Sequence, residues 1–201
     1  EDDPLIKIAE DASVGWARGP TEDVLGRMME AIQGKDVDII IRVTGDDILV
    51  DPDYVDKAIR YHLVNNAEYS DLKSLPSGTE VEVFDTSLLQ QIWRLSINPG
   101  GTEYLTTYIT SQKDQIRTVS VPVEGDHAKK WRLTLDTTED YSVICHLLKE
   151  MKNRGKYLTY RLDDIVDYFS KNPEILLINT SIRQRITPPE VNTSLDWKRL
   201  I

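Results

Sequence analysis

The sequence predicts an α/β fold: a mainly parallel sheet with flanking helices. Three observations carry that expectation. Val37-Asp38-Ile39-Ile40-Ile41-Arg42-Val43-Thr44 is an apolar, β-branched run, which suits a central strand buried on both faces. The run stops at Gly45-Asp46-Asp47, and Pro52 then sits in the first turn of a helix carrying Val55, Ala58, Ile59 and Leu63. Further strand-like and amphipathic helical stretches alternate along the chain, with a small β insertion expected around residues 78–84 and 117–123. A strand that ends in Gly followed by carboxylates is where a parallel sheet meets a ligand. Carboxylate oxygens there suit a hard cation such as Mg²⁺, and Mg²⁺ suits phosphates. The plainer reading is that Gly45 makes the turn and both Asp residues begin the next helix.

The 201 residues are enough for one good core, and 40% hydrophobic with 29% charged residues is ordinary for a globular chain. A net charge of −10 argues against a nucleic-acid backbone as partner and against an anionic membrane surface. Phosphates remain accessible to an acidic enzyme if local Arg residues or a metal reverse the field. The single cysteine, Cys145, stands among apolar helical residues and is expected to be a core thiol. One Cys allows no intrachain disulfide, so a reducing cytoplasm is the default. No apolar run approaches the ~20 residues of a membrane span, and no signal-peptide pattern is visible. His62, His127 and His146 have no metal-ligand spacing and are expected at surface or boundary sites.

Taken in order, Leu5, Ile6, Ile8 and Ala9 give a short amphipathic helix, and Val14-Gly15-Trp16-Ala17 a short strand. Thr21 or Gly19 can cap the next helix, with Glu22 and Asp23 in its first turn and Val24, Leu25, Met28, Met29 and Ile32 on one face. Arg18, Asp23 and Arg27 lie off that stripe; as plain surface charges they would include an i,i+4 Asp–Arg pair. Glu80-Val81-Glu82-Val83-Phe84 alternates as a half-buried strand. Leu88, Leu89, Ile92, Trp93 and Leu95 mark another helix, broken by Asn98-Pro99-Gly100-Gly101; Thr102 can cap the one after it. Arg117 to Val123 alternates like a strand, and Trp131 to Leu135 is the last strong one. It ends at Asp136, and Thr137 with Asp140 makes a capping box for a helix bearing Tyr141, Ile144, Cys145, Leu148 and Met151. Leu162, Ile165, Val166 and Phe169 give a short helix ending at Asn172-Pro173. Leu195, Trp197, Leu200 and Ile201 leave apolar surface in the tail. These boundaries suggest one α/β domain over residues 1–154, with a C-terminal helix and extended tail (155–201) packing on it.

Four stretches in order, RGPTEDVLGR (18–27), RVTGDDILVDPDYVDKAI (42–59), LPSGTEVEVF (75–84) and WRLTLDTTEDYSVI (131–144), resemble the cytidylyltransferase family. That family includes SpsF-like spore-coat polysaccharide proteins and, more distantly, synthetases of CMP-linked acidic sugars. The resemblance implies a Rossmann-like fold of the nucleotide-diphospho-sugar transferase type. It also implies an N-terminal βαβ part with an Arg- and Ser-bearing phosphate loop, which is missing from this sequence. It places Asp46 and Asp136 on one Mg²⁺ as catalytic metal ligands, and Arg18, Asp23, Arg27, Arg42 and Gly45 against the nucleotide. Glu82 and Glu103 would contact the sugar. Gly101 and Tyr104 stand where many relatives have Arg and His, and Asp47 where they have a small residue.

The activity so implied is Mg²⁺-dependent transfer of CMP from CTP to a sugar, expected to be acidic, with release of pyrophosphate, for surface polysaccharide synthesis by a cytoplasmic homodimer. An Asp pair after a strand also fits a nucleotide-sugar-dependent glycosyltransferase, which would form a glycoside and release no pyrophosphate. A non-catalytic scaffold or interaction module, which would bind no nucleotide, is the third reading.

Overall fold

The apolar run does become a strand, but a short one at an edge of the sheet. The computed structural model describes residues 2–98, 101–112, 114–184, 188 and 191–200, residues 199 and 200 without their side chains. In chain order the elements are α1 (Asp3–Asp11), α2 (Val24–Ile32), β1 (Ile39–Arg42), α3 (Pro52–Val64), β2 (Tyr69–Asp71), β3 (Glu82–Asp85), α4 (Thr86–Leu95), α5 (Leu105–Thr110), β4 (Thr118–Ser120), α6 (Thr138–Asn153) and α7 (Leu162–Lys171). Two 3₁₀ turns follow, Pro173–Ile178 and Trp197–Leu200. These elements form two compact units of interleaved chain: Glu1–Asp38 with Thr86–Ile116 and Thr187–Ile201, and Ile39–Asp85 with Arg117–Ile186.

The second unit holds the sheet, in the order β1-β3-β2-β4. β3 runs antiparallel to both β1 and β2, and only β2 and β4 are parallel. The α/β class stands, but the sheet is mixed rather than mainly parallel. The reason is that β3 returns between β1 and β2 instead of adding beyond them. β1 is therefore an edge strand among the described residues, and Ile41 (37% exposed) and Val43 (47%) are open rather than buried. β3 and β4 belong to this sheet, so no separate β insertion exists at 78–84 and 117–123. β2 carried no strand signal in the sequence: two of its three residues, Ser70 and Asp71, are polar yet buried. Trp131–Leu135 is held to Ser77 by a single parallel bridge at Arg132 rather than by a ladder.

The core of this unit gathers the inward stripe of α6 (Val143, Ile144, Leu147, Met151) with Leu162, Ile165 and Phe169 of α7, Val83 of β3, and Leu49 and Leu133. Phe169 meets the Trp131 ring edge-on at 5.7 Å between centroids and Tyr168 at 5.2 Å, the favoured aromatic arrangement. Because the stripe runs through residues 143, 144, 147 and 151, Cys145 points outward and is exposed, contrary to the core thiol expected. The buried Asp51 carboxylate joins two helix starts. It accepts from the Asp53 N–H at 2.9 Å as the cap of α3, and from the Leu162 N–H of α7 at 2.6 Å.

Two of the three histidines are buried, not at the surface or boundary. His62 shares hydrogen bonds with Ser70 (2.8 Å) and Asp85 (3.1 Å), joining α3 to β2 and β3. The order Ser-His-Asp resembles a nucleophile triad, but Ser70 is 0% exposed, so no substrate reaches its hydroxyl. His127 bridges Tyr54 (2.8 Å) and Asp163 (2.7 Å) in the same structural way.

In the first unit α2 begins at an Asp23 cap, whose side chain accepts from the Gly26 N–H, rather than at Thr21 or Gly19. α4 buries Leu88, Leu89, Ile92 and Leu95, while Trp93 lies off that stripe and is 56% exposed. Thr102 accepts from the Tyr104 N–H at 3.1 Å just before α5. Val14 to Ala17 forms no strand. In the tail, Leu195 bridges Ser96 and the Trp197 indole donates to Gln112 at 3.0 Å. Pro99, Gly100, Ile201 and the Leu200 side chain lie outside the described residues. Among the described residues no helix is long and apolar enough to cross a membrane.

Truncating Phe169 (0% exposed) to Ala should cost about 3–5 kcal/mol of stability, whereas Leu158→Ala (86% exposed) should stay within about 0.5 kcal/mol. Urea midpoints measured on both variants check this contrast.

Candidate active site

Asp46 and Asp136, distant in sequence, come together beyond the carboxyl end of β1. The Leu135 N–H donates to the Asp46 carbonyl at 3.0 Å, and the Thr134 hydroxyl donates to the Asp46 carboxylate at 3.0 Å. A tight turn at Pro76–Thr79 locks this arrangement. The Leu133 N–H donates to Ser77 O at 2.6 Å, and the Leu49 N–H to Gly78 O at 3.4 Å. Gly78 is required there: its φ is +98°, and a Cβ would lie 2.2 Å from the Leu133 carbonyl carbon.

Burial works to raise the pKa of Asp46, yet hydrogen bonding from Thr44, its own backbone, Thr134 and the neighbouring Asp136 side chain outweighs it. The carboxyl is therefore held below the ordinary value and is ionised at neutral pH. Asp47 goes the other way. Burial, with the charges of Asp46 and Asp136, raises it against the Thr44 hydrogen bond (2.7 Å) and Arg42. Gly45 faces open space, with nothing within 4 Å of a built Cβ, so a ligand can approach the backbone there.

Asp136 is more exposed than Asp46 and is oriented by Arg132, whose guanidinium donates to it at 2.6 Å. Arg132 also grips the fully buried Asp140 through two nitrogens, at 2.9 and 2.8 Å. Asp140 accepts further bonds from Asn179 (2.8 Å) and from the Asp136 and Thr137 N–H groups (3.2 and 3.1 Å), and it completes the capping box of α6. Burial opposes its charge, but Arg132, Asn179 and the Asp136 backbone win and bring its pKa down to about 2. Arg132, Thr134 and Thr44 stood inside the stretches that carry the resemblance, but no local pattern gave them a role, and Asn179 carried no signal; their hydrogen bonds to the site carboxylates single them out. Asp140 was visible only as a helix cap.

The remaining candidates divide. Arg42 and Glu82 pair with each other across β1 and β3, and the second Glu82 oxygen accepts from the Tyr69 hydroxyl at 2.6 Å. In the first unit, Arg18 and Arg27 line a cavity of about 590 Å³ together with Trp16 and Thr21. Arg18 is paired with Asp3, and Arg27 donates to the Pro20 and Thr21 carbonyls, which shapes the loop before α2. Asp23 instead lines a cavity of about 610 Å³ with Met29, Trp93 and Arg94. Its side chain occupies the space where a Cβ on Gly101 would stand, 2.3 Å away. Glu103 is exposed just ahead of α5.

Among the described residues no group of three or more His, Cys, Asp or Glu side chains is placed to hold a metal ion. Two carboxylates suffice for Mg²⁺, which keeps several waters and takes its other oxygens from substrate phosphates. An ionised Asp46 beside a partly exposed Asp136 fits that donor set.

Residues 3–166 match the model of a family described as cytidylyltransferase. A protein of Methanocaldococcus jannaschii described as uncharacterized is 30% identical over 186 residues, 92% of this chain and 75% of that protein. The spore coat polysaccharide biosynthesis protein SpsF of Bacillus subtilis is 30% identical over 160 residues, 78% of this chain and 65% of its own length. A solved structure of a cytidylyltransferase from Leptospira borgpetersenii serovar Hardjo-bovis superposes with a TM-score of 0.79 at 26% identity, covering 91% of this chain and 76% of that one.

The depressed Asp140 pKa makes a stability prediction with a definite sign. A folded pKa of about 2 against 3.8 unperturbed contributes about 2 kcal/mol that is fully present above pH 3.8 and lost as pH falls through 2. Asp140→Asn should therefore be less stable by about 2 kcal/mol at pH 7, with the gap from the parent closing between about pH 4 and pH 2. Urea unfolding of both proteins across that range checks it.

Proposed function

The chain belongs to the cytidylyltransferase family of nucleotidyltransferase enzymes, and from that premise we propose that it transfers CMP from CTP to a sugar hydroxyl with release of pyrophosphate. The single observation that supports this best is the meeting of Asp46 and Asp136 beside the open backbone of Gly45. Mg²⁺, when bound by those two carboxylates, would supply Lewis acidity to phosphate oxygens and neutralise charge on the departing pyrophosphate. The barrier in such a transfer is mainly charge, so positioning and electrostatics do most of the work.

The chain's own residues supply that positioning. Thr134 fixes the rotamer of Asp46, and Arg132 fixes Asp136 while remaining anchored on Asp140. The turn at Gly78 holds the two carboxylate-bearing segments in register. Arg18 and Arg27, lining one cavity with Trp16, are proposed to meet the nucleotide, with Asp23 and Arg42 as its further contacts. An aromatic face and two guanidinium groups suit a base and its phosphates. Glu82 and Glu103 are proposed on the sugar side. An acidic acceptor sugar, surface polysaccharide synthesis and a cytoplasmic homodimer complete the proposal, on the likeness to SpsF. Because the chain spans 65% of that relative, the activity is assigned to the full-length protein.

Asp46→Ala should lower the rate of pyrophosphate release from CTP by about 10²-fold or more, several kcal/mol of barrier, with the fold retained by circular dichroism. Normal turnover by this variant would sink the assignment. Glycoside formation from a CMP-sugar, with no pyrophosphate released from CTP, would instead favour a glycosyltransferase.

A further inference from the structure

Beyond α7 the chain turns back toward Arg132, the residue that aims Asp136. The 3₁₀ turn Pro173–Ile178 packs Ile175 and Leu176 against the core of the second unit. Asn179 follows at once and is 2% exposed. Its amide nitrogen donates to the Arg132 carbonyl at 2.9 Å and to the Asp140 carboxylate at 2.8 Å. A further turn, closed by the Ile182 N–H on the Asn179 carbonyl at 3.0 Å, carries the chain on toward Gln184. There the Gln184 side-chain oxygen accepts from Nη1 of Arg132 at 2.6 Å. The guanidinium is thereby met at all three nitrogens: Nε by Asp140, Nη2 by Asp140 and Asp136, and Nη1 by Gln184. An acceptor on each nitrogen of a planar fork opposes its rotation away from Asp136. Gln184 supplies its acceptor without charge, so the single positive charge of Arg132 stays shared between Asp136 and Asp140.

We infer that Asn179 and Gln184 are positioning residues of the reaction: acting through Arg132, they set how well Asp136 is presented to a divalent cation. The inference rests on the reading of Asp46 and Asp136 as Mg²⁺ ligands above. Neither amide is itself assigned a contact with metal or substrate. Groups one step removed from a metal ligand, which orient it by hydrogen bonds, are worth about 10- to 100-fold in metal affinity or activity. The two residues divide that work differently. Asn179 is buried and ties the backbone of Arg132 to its anchor, Asp140, so its loss leaves interior acceptors short of a donor and costs stability as well. Gln184 is exposed and touches the guanidinium alone among these groups, so its effect on the site separates from any effect on folding.

The test uses the full-length protein with CTP. Binding of Mn²⁺, a paramagnetic substitute for Mg²⁺, is measured by electron paramagnetic resonance, and pyrophosphate release is followed as Mg²⁺ is raised, with a panel of neutral, amino and carboxylated sugars as acceptors. Gln184→Met keeps the chain length and removes the acceptor. It should weaken Mn²⁺ binding about 10-fold and raise the Mg²⁺ needed for half-maximal rate by about the same factor, with kcat recovered at saturating Mg²⁺ and the urea midpoint unchanged. Gln184→Glu restores an acceptor and should return Mn²⁺ binding to within about threefold of the parent. Asn179→Ala should weaken Mn²⁺ about 10- to 100-fold and unfold at lower urea. A parent that binds Mn²⁺ and releases pyrophosphate, with Gln184→Met unaltered in both, would overturn the positioning role and leave the transferase reading standing. So would a loss in Gln184→Met that neither saturating Mg²⁺ nor the Glu variant repairs. A parent that binds no Mn²⁺ in the presence of CTP would overturn both the positioning role and the metal reading beneath it.

Discussion

A single buried carboxylate, Asp140, holds the site together. With no exposure of its own, it accepts hydrogen bonds from Arg132, Asn179 and the backbone of Asp136 and Thr137. These partners come from the extended 131–136 segment, the start of α6 and the residue after the 3₁₀ turn at 173–178. A carboxylate removed from water is costly unless its lone pairs are met, and here each is. Arg132 is held by these bonds, and one guanidinium nitrogen donates to both Asp140 and Asp136. The orientation of a candidate metal ligand is thus fixed by a charge that no ligand touches.

The same logic recurs on the other side of the site. Asp46 is fixed by Thr134 and by the Leu135 N–H, both from the segment that Asp140 anchors. The Gly78 turn presses flat against that segment, too close for any side chain. The two carboxylate-bearing stretches therefore share one support. Such preorganisation suits a transfer in which charge, more than covalent chemistry, sets the barrier. The ionisable groups of the site are also pushed apart: Asp46 and Asp140 down, Asp47 up.

Elsewhere the buried polar groups are structural. Asp51, His62 and His127 each bind elements distant in sequence, and each has its partners within the protein. Their burial explains why histidines without metal spacing were still not surface residues. In a sheet of short strands, hydrogen-bonded side chains supply connections that a longer ladder would otherwise make.

What the sequence determined by itself is local. Backbone geometry repeats every 3.6 residues in a helix, so the positions of α3, α4, α6 and α7 and the capping box at Thr137 were all readable within about ten residues. The stripes were right in place but not always in phase: Cys145 and Trp93 border the buried face closely enough for period alone to misplace them. Tertiary structure decided everything that depends on pairing across the chain. β3 inserts between β1 and β2, which makes the sheet mixed and β1 an edge; Arg42 pairs with Glu82; and Asp46 meets Thr134 across 88 residues. No local period encodes such choices, because they are settled by which partners satisfy buried polar groups once the chain has closed on itself.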